Sequence, residues 1–175
     1  MNLDIEFSIW LAQFQSFEVF FSLISTRWFA AILVLIAGIY SIYIKKFRIF
    51  LFICIATSLG DFSGNLLKEL LADTRPCFGF SEIFINEGII KEECGPQTTG
   101  MPSNHAINFF LFSTLLHLFF KNKYLTSIYL ISSILVALSR VFLIKHLLSQ
   151  VIIGAFIGIF LGIIFYYLFY RWIKT

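Results

Sequence analysis

Five long apolar runs, at residues 27–44, 49–72, 102–120, 124–142 and 147–170, leave this 175-residue chain little choice of fold. Each is close to the ~20 residues that a helix needs to cross the hydrocarbon core of a bilayer. With 59% hydrophobic and 13% charged residues, the chain carries more apolar surface than one small water-soluble core could hide. An all-α polytopic transmembrane helical bundle of five spans follows, forming a single integral membrane domain over residues 1–175. The formal net charge of +3 says little as a total, and nothing resembles a nucleic-acid patch.

Residues 1–24 are of a different kind. Glu6, Gln13, Gln15 and Glu18 alternate with Trp10, Leu11, Phe14, Phe17 and Phe20, which predicts an interfacial amphipathic helix, a sixth span being the alternative. Asp4 and Glu6 stand where a signal peptide would be basic, so this segment is expected to be retained.

The connections "IKKFR" and "KNK" and the tail "YRWIKT" hold Lys45, Lys46, Arg48, Lys121, Lys123, Arg171 and Lys174 without an acidic residue, which places all three on the cytoplasmic side. The loop 73–101 and the turn near 141–146 then face outward. Trp172 with Tyr166, Tyr167 and Tyr170 suits a cytoplasmic aromatic belt. Gly154, Gly158 and Gly162 recur every four residues as a close-packing stripe for a neighbouring helix. Cys77 and Cys94 flank the outer loop and form a candidate disulfide if it faces an oxidising compartment, two free thiols being the alternative; Cys54 lies within a span.

Ionisable residues near membrane depth are costly and point to function. Lys68 and Arg75 are seven residues apart, about two helical turns, and share a face if the helix persists that far. "GMPSNHA" opens the third span with proline in the first turn, so the N–H groups of Ser103 and Asn104 are expected to be free for an anion. The Ser103 hydroxyl adds a donor, and His105 a group that moves a proton near neutral pH. Arg140 closes the fourth span and His146 opens the fifth. The arginine can hold two phosphate oxygens in a planar fork. Lys145 is expected to face headgroups, and His117, toward the cytoplasmic end, to be structural. Three cations, a helix N-terminus and two histidines, without grouped carboxylates, suit phosphoryl transfer without a metal: one histidine attacks phosphorus and the other protonates the departing oxygen. A transporter would instead show broken helices near the midplane.

The order Lys68, Arg75-Pro76, then Pro102-Ser103-Asn104-His105, then Ser139-Arg140 and His146 resembles the three-part signature of the type 2 phosphatidic acid phosphatase superfamily, over residues from about 50 to 170. The resemblance implies a helical membrane phosphatase needing neither cofactor nor metal. In it His146 would be the nucleophile, His105 the acid for the leaving group, and Lys68, Arg75, Ser103, Asn104 and Arg140 the phosphate ligands. Two positions depart from the family pattern. Asn104 stands where glycine is usual, and Gln150 where an aspartate is usual, four residues after His146. One turn away, Gln150 can still accept the imidazole N–H through its amide oxygen, without a negative charge. The short chain, outward site and absence of a soluble domain resemble bacterial branches acting on lipid A 1-phosphate, undecaprenyl pyrophosphate or phosphatidylglycerophosphate, the first being favoured. The expected partners are a phosphorylated lipid and the bilayer, and the expected location a bacterial inner membrane with a periplasmic active site. Phosphotransfer to another lipid is a variant of this reading, and a non-catalytic phospholipid-binding protein is the rival that Gln150 keeps open.

Overall fold

The structure, a computed structural model, describes residues 2–89 and 96–174, with side chains as far as Tyr170. Helices occupy the apolar runs: α3 (Arg27–Tyr43), α4 (Phe47–Leu71), α7 (Asn104–Phe120), α8 (Lys123–Phe142) and α9 (Leu148–Lys174). Before them come α1 (Leu3–Ala12), a 3-10 turn (Gln15–Phe17) and α2 (Glu18–Ile24); the long loop between α4 and α7 contributes the short α5 (Pro76–Gly79) and α6 (Ser81–Asn86). By length and composition, α4, α8 and Leu148–Tyr170 of α9 each suffice to cross a membrane, while α3 and α7 are shorter apolar helices of 17 residues. The molecule is a multi-pass helical membrane protein.

The N-terminal segment differs from the single helix expected over 1–24. It breaks into α1 and α2, bent by 73°, a pair that by composition reads as a broken span or a re-entrant loop. The chain turns because Ile5 and Ile9 of α1 bury against Phe84, Ile144 and Leu147, whereas Phe21 and Ile24 of α2 bury against Phe142. Two separate apolar sites draw the halves in different directions. The Asp4 carboxylate of α1 accepts from the N–H of Ser149 at 3.0 Å, capping the first turn of α9.

Local chemistry sets the other ends. Thr26 Oγ1 accepts from the N–H of Phe29 at 3.4 Å to start α3. Asn122 Oδ1 accepts from the N–H groups of Tyr124 and Leu125 to start α8. Ala72 and Lys121 take left-handed φ of 46° and 52° and return their N–H groups to the carbonyls of Lys68 and His117, which ends α4 at Leu71 and α7 at Phe120.

The core is built around α7, whose Ala106, Ile107, Leu111, Leu115 and Leu116 are almost wholly covered. A helix apolar on all sides must sit inside the bundle, and α7 is enclosed by α4, α8 and α9. Lipid-facing side chains such as Trp28, Leu35, Phe62 and Phe156 stay exposed on the outer helices. The glycine stripe of α9 is the seam with α7. A Cβ at Gly158 would overlap the Ile107 carbonyl oxygen, and one at Gly154 would stand 2.7 Å from that of Ser103. Of the Cys77–Cys94 pair, Cys77 is buried beside Ile5 and Phe84, and Cys94 lies outside the described residues; Cys54 is a free thiol.

Gly158→Ala is expected to destabilise the protein in detergent by about 1–3 kcal/mol, the usual range for overpacking, because the added methyl meets backbone that cannot yield. Phe156→Ala, on the lipid-facing side, is expected to leave thermal unfolding in the same detergent unchanged.

Candidate active site

Helices α3, α4 and α7, Tyr129 of α8 and the turn before α9 enclose a cavity of about 470 Å³ whose lining includes Lys68, Arg75, Asn104, His105 and His146. Residues from three separate stretches of sequence therefore meet in one place. The backbone makes the junction. Residues 73–75 pair with 98–100 through a single bridge between Thr74 and Thr99, with the Arg75 N–H on the Thr98 carbonyl at 2.8 Å and the Gly100 N–H on the Asp73 carbonyl at 2.6 Å. This ties the exit of α4 to the approach into α7. The turn after α8 is equally tight, since the N–H groups of Lys145 and His146 both return to the Arg140 carbonyl, at 3.0 and 3.1 Å. Arg140 and His146 are thus held by one loop of backbone.

Lys68 and Arg75 are 4% and 8% exposed, values that cations reach only beside a polar cavity or a partner. Among the described residues, the hydrogen-bond partners of the two arginines are neutral. Arg75 donates to the Thr99 carbonyl at 3.3 Å and to Gln97 Oε1 at 2.6 Å. Arg140 donates through Nη1 to Ser25 Oγ, in the link between α2 and α3. His105 meets the backbone of the same Ser25, so one residue braces a cation and an imidazole. Their charges are left to act on the cavity. His146 is 1% exposed, and burial, followed by the charges of Arg140, Lys68 and Arg75, holds its pKa well below the usual imidazole value. At neutral pH the ring is uncharged, the form that can act as a nucleophile. Burial also draws the pKa of Arg75 below the ordinary guanidinium value.

The start of α7 departs from the expected cradle in one respect. The Ser103 N–H is not free, because it donates to the Gln150 carbonyl at 3.2 Å and so joins the starts of α7 and α9. The Ser103 hydroxyl, wholly buried, and Arg140 Nε have no hydrogen-bond partner among the described residues. Both can donate to an oxyanion. The Asn104 side chain turns toward α4, where its amide nitrogen donates to Asp61 Oδ1 at 3.2 Å and Asn65 Oδ1 at 2.7 Å. Its amide oxygen sits against Gly64, where a Cβ would come within 2.6 Å of it. The larger residue is accommodated sideways. Asn108, one turn on, donates to the same Asp61 oxygen at 2.8 Å. Gln150 faces His146, with Oε1 3.3 Å from Nδ1. His117 lies away from the cavity and contacts Thr126 Oγ1.

Sequence reasoning missed Asp73, Ser25, Gln97 and the Asp61–Asn65–Asn108 group. Asp73 stands two residues from Arg75, a signal visible in the sequence. Asp61 and Asn65 are one turn apart within a span and marked a polar face of α4. Ser25 and Gln97 carry no signal that a pattern could have shown.

Comparison with known proteins agrees with the geometry. The PAP2 superfamily profile matches residues 47–174. No curated protein matches the sequence. The fold is similar to the crystal structure described as the first transmembrane PAP2 type phosphatidylglycerolphosphate phosphatase from Bacillus subtilis, with a TM-score of 0.66 and 19% identity over 98% of this chain and 88% of that one. A family match over most of the chain, with each part of the signature represented at one cavity, settles the assignment: this multi-pass membrane protein belongs to the PAP2 superfamily.

Proposed function

We propose that the protein removes phosphate from a lipid at the outer leaflet without a metal, through a phosphohistidine formed on His146. The observation that carries this reading is the cavity that gathers Lys68, Arg75, His105 and His146 at one end of the bundle. Phosphoryl transfer asks a protein chiefly for positioning and for neutralisation of charge on the equatorial oxygens. Lys68, Arg75 and Arg140, with the unpartnered Ser103 hydroxyl, supply that neutralisation.

Neutral His146 attacks phosphorus through Nε2 while the bond from phosphorus to the lipid-side oxygen breaks, and the proton on His105 passes to that oxygen. Water then attacks the phosphohistidine as His105 takes a proton from it, the N–P bond breaks, and inorganic phosphate leaves with His146 regenerated. A lipid hydroxyl in place of that water would give phosphotransfer. The orientation expected from the basic connections puts the cavity on the periplasmic side of a bacterial inner membrane.

Lipid A 1-phosphate is the substrate favoured here, because a cationic cavity at the end of the bundle expected to face outward suits a phosphorylated headgroup of that kind. Phosphatidylglycerophosphate is the second reading, favoured by the fold similarity to a protein described as acting on it. Undecaprenyl pyrophosphate is the third. A non-catalytic phospholipid-binding protein stays as the rival class, because position 150 carries no carboxylate.

His146→Ala, in folded protein purified in detergent, is expected to lower phosphate release by at least ~10³-fold. His105→Ala and Arg140→Ala are each expected to lower it by about 10²–10³-fold, the range for a general acid or a charge-stabilising donor. A chelator should leave the rate unchanged. Full activity in folded His146→Ala would reject the mechanism, and binding without turnover by the wild type would favour the rival class.

Phosphate release across lipid A, phosphatidylglycerophosphate and undecaprenyl pyrophosphate in mixed micelles is expected to give the highest kcat/KM for lipid A 1-phosphate. A higher value for either of the others would reassign the substrate.

A further inference from the structure

The Gln150 amide is 1% exposed and uses its full hydrogen-bonding capacity. Its Nε2 donates to Asp73 Oδ2 at 2.7 Å and to the Thr74 carbonyl at 3.2 Å. Its Oε1 accepts from the Leu147 N–H at 3.2 Å and lies 3.3 Å from His146 Nδ1. A primary amide has two donor hydrogens and two acceptor lone pairs, and all four are engaged. A flipped amide would set its NH2 against the Leu147 N–H and its oxygen against the Asp73 carboxylate and the Thr74 carbonyl. The orientation is therefore determined by the surroundings.

From this arrangement we infer that Asp73 is the positioning carboxylate of the site, acting on His146 through Gln150. The inference rests on the reading of His146 as the nucleophile. Asp73 anchors the NH2 group, the anchored amide turns its oxygen toward the imidazole, and an oxygen there requires the proton on Nδ1. Nε2 then keeps the lone pair needed to attack phosphorus. A charge-assisted bond at the far end of the amide also polarises Oε1 and strengthens its hold on the ring.

The same geometry explains why glutamine stands at position 150. A carboxylate there would meet Asp73 Oδ2 and the Thr74 carbonyl, which offer only acceptors. Asp73 supplies the negative charge one group further from the imidazole, and the amide spans the gap. Two backbone features seat the relay. The Gly100 N–H holds the Asp73 carbonyl at 2.6 Å, and a Cβ at Gly100 would come within 2.6–2.8 Å of both Gln150 amide atoms and of the Thr74 carbonyl oxygen. Asp73 reaches the site because residues 73–75 are bridged to 98–100, directly before α7.

The test combines kinetics with a tautomer measurement. Asp73→Ala, checked for folding by size exclusion and circular dichroism, is expected to lower kcat by about ten-fold or more with KM nearly unchanged, as for other groups that orient a reacting imidazole. Asp73→Asn keeps an acceptor for the amide and is expected to stay within about three-fold of wild type. Gln150→Glu is isosteric but sets two carboxylates together, so it should lower kcat, and adding Asp73→Asn should raise it again. In parallel, ¹⁵N spectra of histidine-labelled protein are expected to show His146 protonated on Nδ1 in the wild type, with the Nε2–H tautomer growing in Asp73→Ala.

An unchanged kcat and tautomer in folded Asp73→Ala would overturn the inference, as would equal losses from Asp73→Asn with Gln or Glu at position 150. A wild-type His146 protonated on Nε2 would also overturn it. The spectroscopic arm needs no turnover, so failure of the phosphatase reading and failure of the relay give different results.

Discussion

The contact between the first turns of α7 and α9 is the constraint on which the site depends. One helix brings Ser103, Asn104 and His105, and the other follows directly on His146 and carries Gln150. They are locked by the hydrogen bond from the Ser103 N–H to the Gln150 carbonyl and by an approach so close that a Cβ at Gly154 would stand 2.7 Å from the Ser103 oxygen. The small residues of α9 thus act as a ruler. They set the separation of the two imidazoles through backbone packing, which is far stiffer than any loop. Catalytic geometry tolerates little misplacement, so a seam between rigid elements is a suitable place to hold it.

Around that seam the protein buries positive charge while leaving it available. A carboxylate beside each cation would satisfy it and also compete with a phosphate for it. Gln97, Thr99 and Ser25 instead fix the two arginines with neutral oxygens. The acidic groups at the site are bound by amides, although Asp61 also lines the cavity. Asp73 meets the amide of Gln150 and Asp61 meets the amides of Asn104 and Asn108.

Much of the architecture was legible in the sequence because it is recorded locally. The helical class and the membrane setting follow from run length and polarity, and the α9 stripe follows from spacing. The convergence of Lys68, Arg75, His105 and His146 could be argued because each sits at the same end of its own helix, so alternating span direction brings them to one side. What stayed hidden links distant positions. Asp4 with Ser149, Ser25 with Arg140, and Asp73 with Gln150 are separated by 145, 115 and 77 residues, and periodicity carries no trace of such pairs. The Ser103 N–H was expected to be free because a helix start has unpaired donors, yet a neighbouring helix took it. The break between α1 and α2 was missed for a related reason: an apolar segment with scattered polar residues does not show that its halves dock on different partners.

The cap that Asp4 places on α9 has a consequence for biogenesis. A ribosome delivers Asp4 well before Ser149, so Asp4 has no helix start to cap until α9 has been made. The nucleophile arrives in the same late event, immediately ahead of α9. A nascent chain that has not yet made α9 thus holds Lys68, Arg75 and His105 without His146 in place, and the pocket is completed when α9 docks.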